Sequence, residues 1–182
     1  MGRISVHIEP TGASATFRHY LRDLVYGAND GIITTFAVVA GVAGGALSNS
    51  AVLVIGAANL AADGLSMAVG NFLAIRAHEG ARAAANLPEE EAYPWKHAMA
   101  TWIAFVAAGM LPLAPYLSSA HGDEPFLWSG LVAMGSLFSV GAAKCAVTID
   151  NWFIAGLEML VLGSVVGAAA YGAGALVQRL IV

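Results

Sequence analysis

Three ionisable residues stand inside long apolar runs of this chain: Asp30, Asp63 and Glu158. A charge placed in hydrocarbon costs ~2.5–3.5 kcal/mol on insertion scales, so each is a functional candidate. Asp30 and Asp63 flank a short polar turn, Ser48-Asn49. Folding there makes an antiparallel hairpin, in which residues equally far from the turn share a depth. On that register Asp30 is level with Met67, and Thr34 with Asp63. Asp30 and Thr34 are one helical turn apart, as are Asp63 and Met67, so each pair shares a face. Two carboxylates, a hydroxyl and a thioether then occupy one patch. Asn59 extends the stripe of Asp63 and Met67 by a turn, Ser66 adjoins Met67, and Asn29 adds an amide beside Asp30. At a rise of 1.5 Å per residue the Asp30 layer sits ~25 Å from the turn.

Carboxylate oxygens beside a soft thioether suit a divalent transition cation better than Mg²⁺ or Ca²⁺, which prefer oxygen alone. A carboxylate in a low-dielectric layer holds a proton tightly, and a bound cation displaces it. Metal entry and proton exit are therefore chemically linked. Each residue also has a structural reading. Met67 can be packing, Asp30 a helix cap or interfacial group, and Asp63 an anchor bonded to Thr34 or Asn59. Glu158 either joins the pathway or pairs with Lys144.

The elements that must position these groups follow from composition. Of 182 residues, 58% are hydrophobic and 11% charged, against ~25% charged in soluble domains. Mean hydropathy is +0.72. This excludes a disordered chain and an ordinary water-soluble enzyme, and the single Cys145 excludes a disulfide scaffold. The net charge of −4 carries no basic footprint for nucleic acid. Five stretches meet the ~20 residues needed to cross a bilayer: about 24–47, 51–75, 98–117, 126–147 and 152–177. The expected fold is an all-α membrane protein with five transmembrane helices over residues 24–178, in contact with membrane lipid. Residues 1–23 form a lead-in without the apolar core of a cleaved signal peptide. Residues 76–97 form a short link, and the HGDEP run at 121–125 a polar break.

If the five spans alternate, every basic residue except Arg179 falls on one side: Arg3, Arg18, Arg22, Arg76, Arg82, Lys96 and Lys144. The positive-inside rule puts that side, with the N-terminal lead-in and the 76–97 link, in the cytoplasm. Arg18, His19, Tyr20 and Arg22 read as an interfacial approach to the first span. Small-residue pairs (Gly27/Gly31, Gly41/Gly45, Gly163/Gly167) permit close helix contact within or between chains. Self-association of the first span would bring two copies of Asp30 together. No Ser/His/Asp set, HExxH, CxxC or phosphate loop is present. The five histidines, His7, His19, His78, His97 and His121, all fall outside the spans. The chain reads as a non-enzyme without a tightly bound cofactor.

The segments LVYGANDGIITTFAVVAGVAGGALSNS and VLVIGAANLAADGLSMAVGNFLA resemble the first two spans of the vacuolar iron transporter (VIT) family. PLAPYL and GLEMLVLGSVVGAAAYGAG resemble it further on, and the likeness covers roughly residues 20–178. The resemblance implies a five-helix homodimer with a cytoplasmic N-terminus and a pathway between the two copies of span one. It implies proton-driven export of Fe²⁺, with Mn²⁺ as a second cargo. Asp30 matches the family's span-one aspartate, Met67 its span-two methionine with Ser66 beside it, and Asn59 a position often Glu or Asn. Two departures stand out. Longer members carry a glutamate-rich metal-binding domain between spans two and three. Here a short link keeps His78, Glu79, Glu89, Glu90, Glu91 and His97, which either collect metal or form a solvated loop. Asn71 stands where bacterial relatives often have Glu.

The expectation is a proton-coupled exporter of Fe²⁺ or Mn²⁺ with Asp30, Met67, Asp63 and Asn59 at the metal. Thr34, Ser66 and Glu158 support it, and Glu79, Glu89, Glu90 and Glu91 are candidate metal collectors. A non-transporting scaffold or accessory subunit, and a channel or transporter for another small solute, are the alternatives. Small size and high Ala/Gly content favour a bacterial inner membrane, with a vacuolar membrane in a eukaryote.

Overall fold

The computed structural model describes residues 5–117, 124–146 and 148–181. Arg3 and the polar break around His121 lie outside the described residues. Helix α1 spans Ala13–Gly44, α2 Asn49–Ala84 and α3 Pro94–Gly109. A 3₁₀ turn at Leu111–Leu113 leads into a short α4, Ala114–Leu117. Helix α5 spans Pro125–Lys144 and α6 Trp152–Ile181. Among the described residues five helical segments, counting α3 to α4 as one, are long and apolar enough to cross a membrane. No strand is formed there, only an isolated bridge between Ser5 and Glu89. Large apolar side chains cover the outside, Val54 at 69% and Val165 at 62% exposed among them. Hydrocarbon solvates such a surface and water does not. The protein is an all-helical integral membrane protein.

Local chemistry sets the helix ends. Pro94 and Pro125 open α3 and α5, where a missing N–H costs nothing. Ser48 caps α2 by accepting from the Ala51 N–H at 3.3 Å, and Asn151 caps α6 by accepting from the Phe153 N–H at 3.0 Å. The Leu47 N–H reaches back to the Val42 carbonyl at 3.1 Å, with Ala46 left-handed at φ 52°. The same closure ends α2, from the Leu87 N–H to the Arg82 carbonyl at 2.9 Å, with Asn86 left-handed at φ 57°. Pro112 interrupts the third span, and its carbonyl accepts from the buried Ser129 hydroxyl at 2.7 Å.

Two helices outrun the apolar stretches that mark them. Helix α1 starts at Ala13 and absorbs much of the lead-in, and α2 runs on to Ala84. Apolarity marks only the part that sits in hydrocarbon. The Ala- and Arg-rich segment beyond Ile75 has good helix propensity and nothing to stop it before Asn86. The first hairpin also turns earlier than expected, over 45–48, because the left-handed closure at Ala46 ends α1 at Gly44.

Helix α1 is central and touches α2, α3, α5 and α6. Its glycines set how close they come. A Cβ on Gly27 would lie 2.4 Å from the Thr101 carbonyl oxygen, and one on Gly31 2.3 Å from that of Phe105. The Gly27/Gly31 pair is therefore spent inside the chain, against α3. At the other end Gly44 faces the Tyr171 carbonyl and Gly174 that of Gly41, so α1 and α6 also meet backbone to backbone. Gly163 makes room for Leu137 and Gly167 for the Phe36 ring. Ile32, Val39, Phe105 and Leu137 are fully buried around these contacts. Gly31→Ala forces a methyl into a backbone carbonyl and is expected to cost ~1–3 kcal/mol, lowering the melting temperature in detergent. Gly70→Ala, with nothing within 4 Å, is expected to leave stability unchanged or raise it by up to ~1 kcal/mol. Equal melting temperatures for wild type and Gly31→Ala would show that the contact is looser than described.

Candidate functional site

Because α1 ends at Gly44 and α2 starts at Asn49, positions equidistant from the turn are Asp30 and Asp63, Thr34 and Asn59, and Tyr26 and Met67. The two carboxylates share a layer, with Met67 one turn nearer the charged end and Asn59 one turn farther. This is one helical turn off the pairing of Asp30 with Met67 expected from a Ser48-Asn49 turn. Asp30, Asp63, Asn59 and Met67 are all half-buried. Asp63 lies near enough to Asp30 for its charge to be felt there. Among the described residues no hydrogen bond reaches either carboxylate. Met67 also packs against the apolar core.

The surrounding polar atoms divide into satisfied and unsatisfied. The Thr34 hydroxyl donates to the Asp30 backbone carbonyl at 2.8 Å, so it is tied to its own helix rather than to Asp63. The Asn59 amide nitrogen and the Asn29 side-chain oxygen are buried without a hydrogen-bond partner, a condition that costs ~1–3 kcal/mol each. Thr35 is also unpartnered, but it sits against Gly109 of α3 and belongs to that contact. Ser66 is exposed beside Met67. Glu158 is exposed on α6, and Lys144 faces Asp150 at 3.9 Å instead of Glu158. The α1–α2 seam thus gathers two acids, a thioether and an amide with free hydrogen-bonding capacity, a donor set that fits a divalent transition cation.

Two turns of α1 closer to the charged end lies a second polar group. Asp23 is 2% exposed. Its carboxylate accepts from the Asn71 amide at 2.8 Å and meets His97 Nδ1 at 2.6 Å, with Arg22 Nη2 at 3.5 Å. Asn71 spends its second amide hydrogen on the Thr101 hydroxyl at 2.8 Å, which donates to the His97 carbonyl at 3.0 Å. Helices α1, α2 and α3 are tied together here. A carboxylate at position 71 would supply no N–H and would oppose Asp23, so the amide fits this place. Sequence reasoning missed Asp23, although it stands seven residues before Asp30 on the same helix flank.

The link residues are drawn into the same end. The Glu79 carboxylate accepts from the Glu90 and Glu91 N–H groups at 3.1 Å each, which shapes the link. Glu90 pairs with Arg82 at 2.9 Å. The Glu89 carbonyl accepts from the Val6 N–H at 2.8 Å, fastening the N-terminal segment over the link. Lys96 pairs with Glu9 and holds that carboxyl below its ordinary range. Glu91 turns towards several histidines, His97 at 3.0 Å and His7 at 3.4 Å among them, and Glu90 lies 3.7 Å from His78. A cavity of about 500 Å³ opens among His19, Asp23, Asn71, Glu90, Glu91 and His97.

Asn71→Asp puts a second acid against buried Asp23 and is expected to destabilise by ~2–3 kcal/mol, more than Asn71→Ala. Thermal melts of both variants in detergent check the order, and the reverse order would remove Asn71 from the role of double donor.

The chain matches the sequence model of the VIT family over residues 21–92 and 75–175. It is 27% identical to a vacuolar iron transporter of Toxoplasma gondii, over 91% of this chain and 77% of that one. It is 25% identical to vacuolar iron transporter 1 of Arabidopsis thaliana, over 87% of this chain and 86% of that one. Identity reaches 35% with vacuolar iron transporter homolog 2 of Oryza sativa subsp. japonica, over 52% of this chain and 57% of that one. Five apolar helices, a polar seam along the first two and a match across nearly the whole chain agree: this protein belongs to the VIT family.

Proposed function

We propose that this protein carries Fe²⁺, with Mn²⁺ as a second cargo, out of the cytosol in exchange for protons. The observation that carries the reading is the shared layer of Asp30 and Asp63, two carboxylates inside apolar helices with no hydrogen-bond partner among the described residues. The names of the relatives supply the metal. Asp30 and Asp63 bind the cation, Met67 adds a soft ligand one turn towards the cytoplasm, and the free Asn59 amide helps to hold water or metal on the far side. Two acids that ionise around a cation and take up protons without it give the exchange its chemistry.

The route runs along the α1–α2 seam and is completed by a second copy. The flank of α1 that carries Asp30 is the one its own chain covers least, with Tyr26 58% exposed and Ile33 and Ala37 half-buried. A two-fold partner on that flank doubles the ligands and seals the layer from lipid. The excess of Arg and Lys at the charged end supports a cytoplasmic N-terminus.

The test is a proteoliposome assay that follows Fe²⁺ entry and lumenal pH together. An imposed proton gradient is expected to drive Fe²⁺ uptake, with counterflow of protons. Asp30→Asn is expected to cut uptake at least tenfold at unchanged expression, and Met67→Leu severalfold. Fe²⁺ flux indifferent to the proton gradient, or wild-type uptake by Asp30→Asn, ends the proposal.

A further inference from the structure

At the charged end three ligand atoms converge that the α1–α2 seam does not use. His97 Nε2 lies 3.0 Å from Glu91 Oε2, and His19 Nε2 lies 3.8 Å from the same oxygen. All three atoms fall within 4.8 Å of one another. A cation held at ~2.0–2.2 Å from each ligand keeps them at most ~4.4 Å apart, so only a small closure is needed.

The groups that orient these ligands are already in place. Asp23, buried on α1, takes the Nδ1 side of the His97 ring at 2.6 Å. That leaves Nε2, on the Glu91 side, as the ring's ligating atom, the arrangement by which carboxylates orient metal-binding imidazoles. The His19 Nε2 atom is buried without a hydrogen-bond partner. His7 packs edge-on against His19, with ring centroids 5.9 Å apart, and its Nδ1 bonds the Glu90 carbonyl at 3.0 Å. The link is thereby held with Glu91 turned inward. The three ligands come from α1, the link and α3, and they open on the cavity described above.

We infer that His19, Glu91 and His97 form a binding station for a divalent transition cation at the charged end of the helix bundle. Two imidazoles and one carboxylate select borderline cations such as Fe²⁺, Co²⁺ and Zn²⁺ over Mg²⁺ and Ca²⁺. The station is separate from the intramembrane layer: His19 precedes Asp30 by eleven residues on α1, ~16 Å along the axis.

Co²⁺ is the probe, titrated by its visible absorption into the full chain in detergent. Asp30→Asn is the background, which removes one of the two seam carboxylates and weakens cation binding there. One Co²⁺ per chain is expected, displaced by Zn²⁺ and not by Mg²⁺. His19→Gln and Glu91→Gln are each expected to weaken binding at least tenfold, with melting temperatures that stay near that of the background. Among the described residues no hydrogen bond reaches His19, so His19→Gln, read with its melting temperature, tests the site even if Glu91→Gln loosens the link. Unchanged affinity in His19→Gln, or no Co²⁺ binding in the Asp30→Asn background, overturns the station. The readout is binding without flux, so a failure of the transport reading leaves this result intact and separately legible.

Discussion

Helices α1 and α3 approach through their backbones because Gly27 and Gly31 present no side chain to the Thr101 and Phe105 carbonyls. Inside a membrane no hydrophobic force pushes helices together, since lipid is as apolar as leucine. Close packing must supply the attraction instead. Small residues allow it, and α1 uses them twice, against α3 near one end and against α6 near the other. With one flank committed to α3, the neighbouring flank of α1, carrying Asp23, Asp30 and Thr34, falls at the seam with α2. The placement of Asp23, Asp30 and Thr34 follows from that allocation of faces.

The acids along this flank are treated in opposite ways. Asp23 has a full set of partners, an amide, an imidazole and a guanidinium, and it ties three helices into one end of the bundle. Asp30 and Asp63 have no such partners, and the Asn59 amide near them is unpartnered too. A buried polar group without a partner lowers stability, and native folds keep few of them. Satisfied groups hold helices in register, whereas unsatisfied ones at a common depth retain the capacity to take a cation.

The charged end is more organised than a short solvated loop. Its N-terminal segment lies along the link, Glu79 folds the link back by accepting from two backbone amides, and Asn71 donates one amide hydrogen to Asp23 and the other to Thr101. The amide at position 71 and the brevity of the link are thus parts of one arrangement. Three ligand atoms meet there on separate elements, something none of those elements could provide alone.

The residue order determined the five spans, the asymmetry of basic residues, the membrane setting and the family, because each depends only on runs of residue type or on local motifs. It also singled out Asp30, Asp63, Asn59 and Met67 as misplaced polar or soft groups among apolar ones. It did not determine helix length beyond the hydrocarbon, since continuing Ala- and Arg-rich helix carries no apolar mark. Nor did it determine the hairpin register, where the left-handed closure at Ala46 moved the turn and set Asp30 level with Asp63. The knot of Asp23, Asn71, Thr101 and His97 and the convergence of His19, Glu91 and His97 were decided by tertiary structure alone. Their members are far apart along the chain, and the glycine-limited spacing of α1 and α3, with the link folded back by Glu79 and His7, brings them within reach of one another.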